Sequence, residues 1–157
     1  MGDKMNEQYI MEIIKMAEKA FRCNEIPVGC IIVKNGEIIS RGYNVKENNK
    51  TIFGHAEIIA IKKAEKELGD WRLNDCELYT TLFPCPMCAS AIQQSRISKV
   101  YYILPSNNNE AFKISKKILN NKQLNHNVKI KQINVSFDAF DIFFKSIRKK
   151  MFHVKHN

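Results

Sequence analysis

Apolar residues recur at three- and four-residue intervals through residues 6–22, where Ile10, Ile13, Ile14, Ala17 and Phe21 share one stripe, and this spacing predicts an amphipathic helix. Val28-Gly29-Cys30-Ile31-Ile32-Val33 is a β-rich run instead. Asn35-Gly36 follows it, the dipeptide that most strongly marks a hairpin turn, so Glu37 to Tyr43 reads as the returning strand. A polar loop from Val45 to Thr51 leads to His55. From Ala56 to Leu68 the pattern is helical again, with Ile58, Ile59, Ile61 and Ala64 set among charges. Glu77 to Thr81 predicts a third strand, which Pro84 stops. Residues 86–95 form a short apolar helix, Lys99 to Ile103 a fourth strand, and Pro105 with Asn107 to Asn109 a loop. A helix over 110–119, a strand over Val128 to Val135 and a C-terminal helix over about 137–151 complete the chain, with 152–157 as a frayed tail. Helices and strands in this order predict a three-layer α/β domain with helices on the faces of a central sheet. No repeat or linker divides the chain, so residues 1–157 are expected to form a single domain.

Charge adds a feature that hydropathy hides. The net charge is +9, yet residues 1–110 hold 14 Lys/Arg against 14 Asp/Glu, while residues 111–157 hold 11 Lys/Arg against only Asp138 and Asp141. A basic final third on a neutral body points to a polyanionic partner such as nucleic acid. No apolar run reaches the roughly 18 residues of a membrane span. The N-terminal stretch has no apolar signal core, which argues for a cytoplasmic protein. The five cysteines are then expected to be free thiols, with Cys23, Cys30 and Cys76 as small buried hydrophobes.

The candidate chemistry lies in His55-Ala56-Glu57 and Pro84-Cys85-Pro86-Met87-Cys88. Together they offer one imidazole, two thiolates and a carboxylate. Three protein ligands are the usual complement of a catalytic zinc, whose fourth position stays open for water. Cys85 and Cys88 are three residues apart, so on a first helical turn their sulfurs lie on one side. There the backbone N–H groups and the positive end of the helix favour thiolate over thiol. Pro84 suits the entry to that turn, because it fixes φ and cannot continue the strand before it. Glu57, two residues past His55, is placed to move protons to and from that water. A closed structural zinc site would need a fourth Cys or His, and the chain has no second Cys-x-x-Cys. A redox dithiol would leave His55 and Glu57 without a task. His-x-Glu followed by Pro-Cys-x-x-Cys is the signature by which zinc nucleobase deaminases are recognised.

At this point the sequence resembles the bacterial tRNA-specific adenosine deaminases, within the cytidine and deoxycytidylate deaminase superfamily. Glu25 to Ile31 is similar to that family's E-x-PVGA-[VI] strand entry, and Gly42-Tyr43-Asn44 to its G-x-N. Gly54 to Ile58 matches its HAE-[IM] helix start, Trp71-Arg72-Leu73 its WRL, Leu78 to Leu82 its LY-x-TL, and Ser95-Arg96-Ile97 its SRI. Phe143-Phe144 followed by Lys145, Arg148, Lys149 and Lys150 resembles its aromatic, basic C-terminal helix. The resemblance implies a cytidine-deaminase-like fold, a mixed sheet of about five strands flanked by helices, and conversion of the wobble adenosine of a tRNA anticodon to inosine. It further implies one zinc ion per chain on His55, Cys85 and Cys88, and Glu57 as the catalytic proton carrier. Asn44 would bond the flipped base, and Val28 to Cys30 with the neighbourhood of Pro84 would line the pocket. Phe143, Phe144, Lys145 and Arg148 would meet the anticodon loop, and two copies would pair as a homodimer through the helices beside the zinc.

Two stretches depart from that family. Phe83 stands where it usually carries Glu, and Ile103 to Asn109 replaces its R-D-x-K-T-G, without the acidic residue or the lysine. These departures keep open deamination of a free base, nucleoside or nucleotide such as cytosine, guanine or deoxycytidylate. They also keep open a silent RNA-binding subunit, against which the intact Glu57 speaks.

Overall fold

The computed structural model describes residues 2–106 and 108–135, together with Lys145 and Lys149. Asn107 and the rest of the expected C-terminal helix, Phe143, Phe144 and Arg148 included, lie outside the described residues. The elements are α1 (Gly2–Arg22), β1 (Gly29–Lys34), β2 (Glu37–Tyr43), α2 (Lys46–Asn49), α3 (Ala56–Leu68), β3 (Cys76–Leu82), α4 (Pro86–Gln94), β4 (Lys99–Leu104), α5 (Asn109–Asn120) and β5 (Lys129–Gln132). The five strands form one sheet in the order β2-β1-β3-β4-β5. β1 runs antiparallel to both β2 and β3, whereas β3, β4 and β5 are parallel and joined through α4 and α5. This is the mixed, helix-flanked sheet that the resemblance implies.

Both faces of β1 are covered, which explains its unbroken apolar run. Ile31 and Val33 meet Tyr9, Ile10, Ile13 and Ile14 of α1 on one face. Cys30 and Ile32 meet Ala56, Ala60 and Ile61 of α3 on the other. The turn at Asn35 (φ 52°) and Gly36 (φ 79°) has the paired positive φ of a two-residue hairpin.

Gly42 lets α3 lie directly on β2. A Cβ there would sit 2.4 Å from the Ala56 carbonyl oxygen and 2.9 Å from the Ala60 nitrogen. Gly42→Ala is therefore expected to cost about 3 kcal/mol, the upper range for overpacking, because backbone rather than a flexible side chain must yield. Urea unfolding checks this, and a loss well below about 1 kcal/mol would show that α3 slides freely.

Three expectations need correction. The polar loop after Val45 contains the short helix α2. Its second and third amides are held by a remote carboxylate: Glu25, 1% exposed, accepts from Asn48 N at 2.7 Å and Glu47 N at 3.2 Å. A cap supplied from more than twenty residues away leaves no local sign. The last strand is shorter than 128–135, since its pairing with β4 ends at Gln132. Cys23 is exposed, in the turn after α1, while Cys30 and Cys76 are buried as expected. Among the described residues no helix is long and apolar enough to cross a membrane.

Candidate active site

Two helix N-termini converge at the end of β3. His55 is the residue before α3 and Cys85 the residue before α4, both with extended backbone (φ −77°, ψ 143° and φ −68°, ψ 168°). Neither side chain caps its own helix. Pro86 occupies the first turn of α4, where its missing N–H costs nothing. Cys88, one turn in, is fully buried. The result is a cluster of His55 Nδ1, Cys85 Sγ and Cys88 Sγ, all within 4.8 Å of one another.

The spacing suits a tetrahedral ion. Bond lengths of about 2.3 Å to sulfur and about 2.05 Å to nitrogen place S and N roughly 3.6 Å apart. Here Cys85 Sγ and Cys88 Sγ lie 3.6 and 3.5 Å from His55 Nδ1. Soft thiolates with an imidazole are the donors zinc prefers.

Glu57 sits beside this cluster rather than in it. It is 4% exposed, in the first turn of α3. The Cys88 thiol donates to Glu57 Oε2 at 3.4 Å. Thr80 Oγ lies 3.4 Å from Glu57 Oε1, but its one proton also reaches the Leu82 carbonyl at 2.8 Å, the stronger bond. The carboxylate thus keeps much of its accepting capacity.

Burial pushes the Glu57 carboxyl above its ordinary range. The hydrogen bond with Cys88, followed by that with His55, pulls the Cys85 thiol down to about 4. Cys88 moves up, because its neighbour takes the ionised role and burial adds to the effect. The bond with Cys85 raises His55 against the opposing pull of burial.

A cavity of about 110 Å³ opens onto these groups. That is somewhat less than the roughly 150 Å³ of a closed cavity that admits a benzene ring, so the space takes no more than one base at a time. His55, Glu57, Cys85 and Asn44 form its polar side, and Val28, Leu82, Phe83 and Ala111 its apolar side, with Ser106 adding a hydroxyl. Phe83 is fixed there by edge contacts with Tyr102 and Phe112, at 4.7 and 4.6 Å between ring centres.

The sequence-derived site residues distribute unevenly. His55, Cys85, Cys88 and Glu57 come together, and Val28 and Asn44 line the cavity. Asn44 also serves its own loop, accepting from Lys46 N at 3.1 Å and donating to the Ile26 carbonyl at 3.3 Å. One N–H and one lone pair of its amide remain for another partner. Pro84 is buried between Phe83 and Cys85, and these two neighbours supply the lining. Lys145 is exposed. Sequence reading missed Thr80, Leu82 and Ala111. Thr80 had a usable signal, a polar residue alternating with Leu78 and Leu82 on one strand face; Ala111 had none.

Comparison with known proteins agrees with this geometry. Residues 3–104 match the family described as the cytidine and deoxycytidylate deaminase zinc-binding region. The tRNA-specific adenosine deaminase of Streptococcus pyogenes serotype M1 is 38% identical over 151 residues, covering 94% of this chain and 88% of that protein. A structure from a study of A-to-I editing by tRNA:A34 deaminases at the wobble position superposes with a TM-score of 0.74 at 29% identity, covering 80% of this chain and 91% of the other. The guanine deaminase structure from Bacillus subtilis gives a TM-score of 0.61 at 31% identity, covering 91% and 93%. The chain belongs to the cytidine and deoxycytidylate deaminase family of zinc-dependent hydrolytic deaminases, in its tRNA-specific adenosine deaminase branch.

Proposed function

We propose that this chain converts the wobble adenosine of a tRNA anticodon to inosine, as one domain with one zinc ion held by His55, Cys85 and Cys88. The observation that carries the reading is a metal-competent trio beside a buried, partly unengaged carboxylate in a ring-sized cavity. Similarity to tRNA-specific adenosine deaminases over nearly the whole chain selects the substrate. Anticodon-loop bases can be splayed out singly, which a pocket of this size requires.

The chemistry such an ion supplies, when bound, is activation of water to hydroxide near neutral pH. Glu57 accepts the proton that the water gives up and passes it to the adenine ring nitrogen beside the reacting carbon. The water oxygen bonds to C6, and the C6–amine bond then breaks. Glu57 carries the remaining proton to the departing amine, so that ammonia leaves and a carbonyl stays. Asn44 orients the base through its remaining amide valences, and Val28 packs against the ring. Phe143, Phe144, Lys145 and Arg148 contact the anticodon loop. The enzyme acts as a cytoplasmic homodimer, and the exposed Ile52 and Phe53, just before His55, offer apolar surface beside the site for the second copy.

A second reading, deamination of a free purine such as guanine, draws on the uncharged wall of Leu82, Phe83 and Ala111 and on the guanine deaminase likeness. One assay separates the two. Zinc-loaded protein is incubated with an anticodon stem-loop carrying a wobble adenosine and, in parallel, with cytosine, cytidine, guanine and deoxycytidylate. Inosine in the stem-loop is expected. Ammonia from a free base or nucleotide, with adenosine unchanged in the stem-loop, would overturn the tRNA reading.

A further inference from the structure

We infer that α5 and the turn after it form a docking ridge for the phosphate backbone of the RNA whose base enters the cavity; this rests on the tRNA reading above. Lys113, Lys116, Lys117 and Asn120 recur at helical spacing and are all exposed, so they make one stripe. The opposite side of the helix is spent on the core, through buried Ser115 and Leu119 and the partly buried Phe112 and Ile118. Lys122 continues the stripe past the helix end, where Lys116, Lys117, Asn120, Asn121 and Lys122 surround an open depression.

Compensation along this stripe is sparse. Lys113 meets Glu110 at 3.5 Å, on the surface. Lys116, Lys117 and Lys122 make no ion pair among the described residues. Like charges three and four apart on a helix repel. The negative helix end favours a cation in the last turn, which accounts for Lys117 but not for the run from Lys113 to Lys122. Residues 1–110 are neutral overall, so this ridge stands out against them.

Position ties the ridge to the site. Ala111, in the first turn of α5, lines the cavity. Phe112 touches the cavity wall at Phe83, and Lys116 Nζ lies 5.0 Å above the Phe112 ring. From Ala111 to Asn120 the helical part of the ridge extends roughly 14 Å at the helical rise, with Lys122 beyond it, enough to follow successive phosphates. A membrane is the poorer match, because α5 has already buried its apolar face and exposes only Ile114.

The test compares the zinc-loaded full chain with Lys116→Gln/Lys117→Gln/Lys122→Gln. All three side chains are exposed, so the melting midpoint should not move. Stem-loop affinity should fall about 10- to 100-fold at low salt, and the slope of log affinity against log salt should flatten by about 2, since each lost phosphate contact removes about 0.7–0.9. KM for the stem-loop should rise in parallel while kcat at saturation stays constant. An active wild type whose triple variant keeps slope and KM overturns the ridge alone. An unchanged slope with lost binding to phosphatidylserine vesicles overturns it in favour of a lipid surface. A wild type that leaves the stem-loop adenosine intact overturns the ridge together with the substrate reading.

Discussion

Glu57→Gln should lower the deamination rate about 10⁴-fold, the upper range for a single general acid–base group, because the proposed cycle uses this carboxylate for more than one proton transfer. That corresponds to roughly 5 kcal/mol of lost barrier reduction. Stability should move the other way. The Glu57 carboxylate is buried against Cys88 and Thr80, and burial disfavours its charged form. An amide of the same shape removes that penalty, so the melting midpoint is expected to hold or rise. Zinc content should be unchanged, because Glu57 is outside the ligand trio. Single-turnover kinetics, zinc analysis and a thermal melt on one preparation decide it. A rate within tenfold of wild type would show that another group moves the protons, and loss of zinc would make Glu57 a ligand.

His55→Ala and Cys88→Ala should each remove the metal and the activity together. Changing residues that merely support metal ligands weakens affinity about 10- to 100-fold, so loss of a ligand should exceed that. The two variants differ in a useful way. His55 is half-buried and Cys88 is fully buried. Cys88→Ala should therefore cost a further kcal/mol or so, about the cost of removing one buried methyl-sized group, while His55→Ala should not. Zinc at about 100 times its dissociation constant should stabilise wild type by roughly 2.7 kcal/mol, and neither variant should respond. Full zinc retention in either variant would mean that the ligands have been misassigned.

The sequence by itself determined the elements whose signals are local. The periodicity from Ala56 to Leu68 is the helix α3, which ends at Gly69 in the left-handed region. Asn35-Gly36 is the hairpin turn. The residue types at His55, Glu57, Cys85 and Cys88 name a chemistry on their own, because each donor's character belongs to its own side chain. Tertiary structure decided what depends on the path of the backbone between distant residues. The strand order β2-β1-β3-β4-β5 brings the starts of α3 and α4 together. Glu25 caps α2 across the fold. Phe83, a departure from the family pattern in sequence, becomes a cavity wall only once Tyr102 and Phe112 close around it. Ala111 joins that wall because α5 begins there. Helical periodicity and turn chemistry are encoded within a few residues, whereas a cavity and the ridge leading to it are shared among elements that only packing makes neighbours.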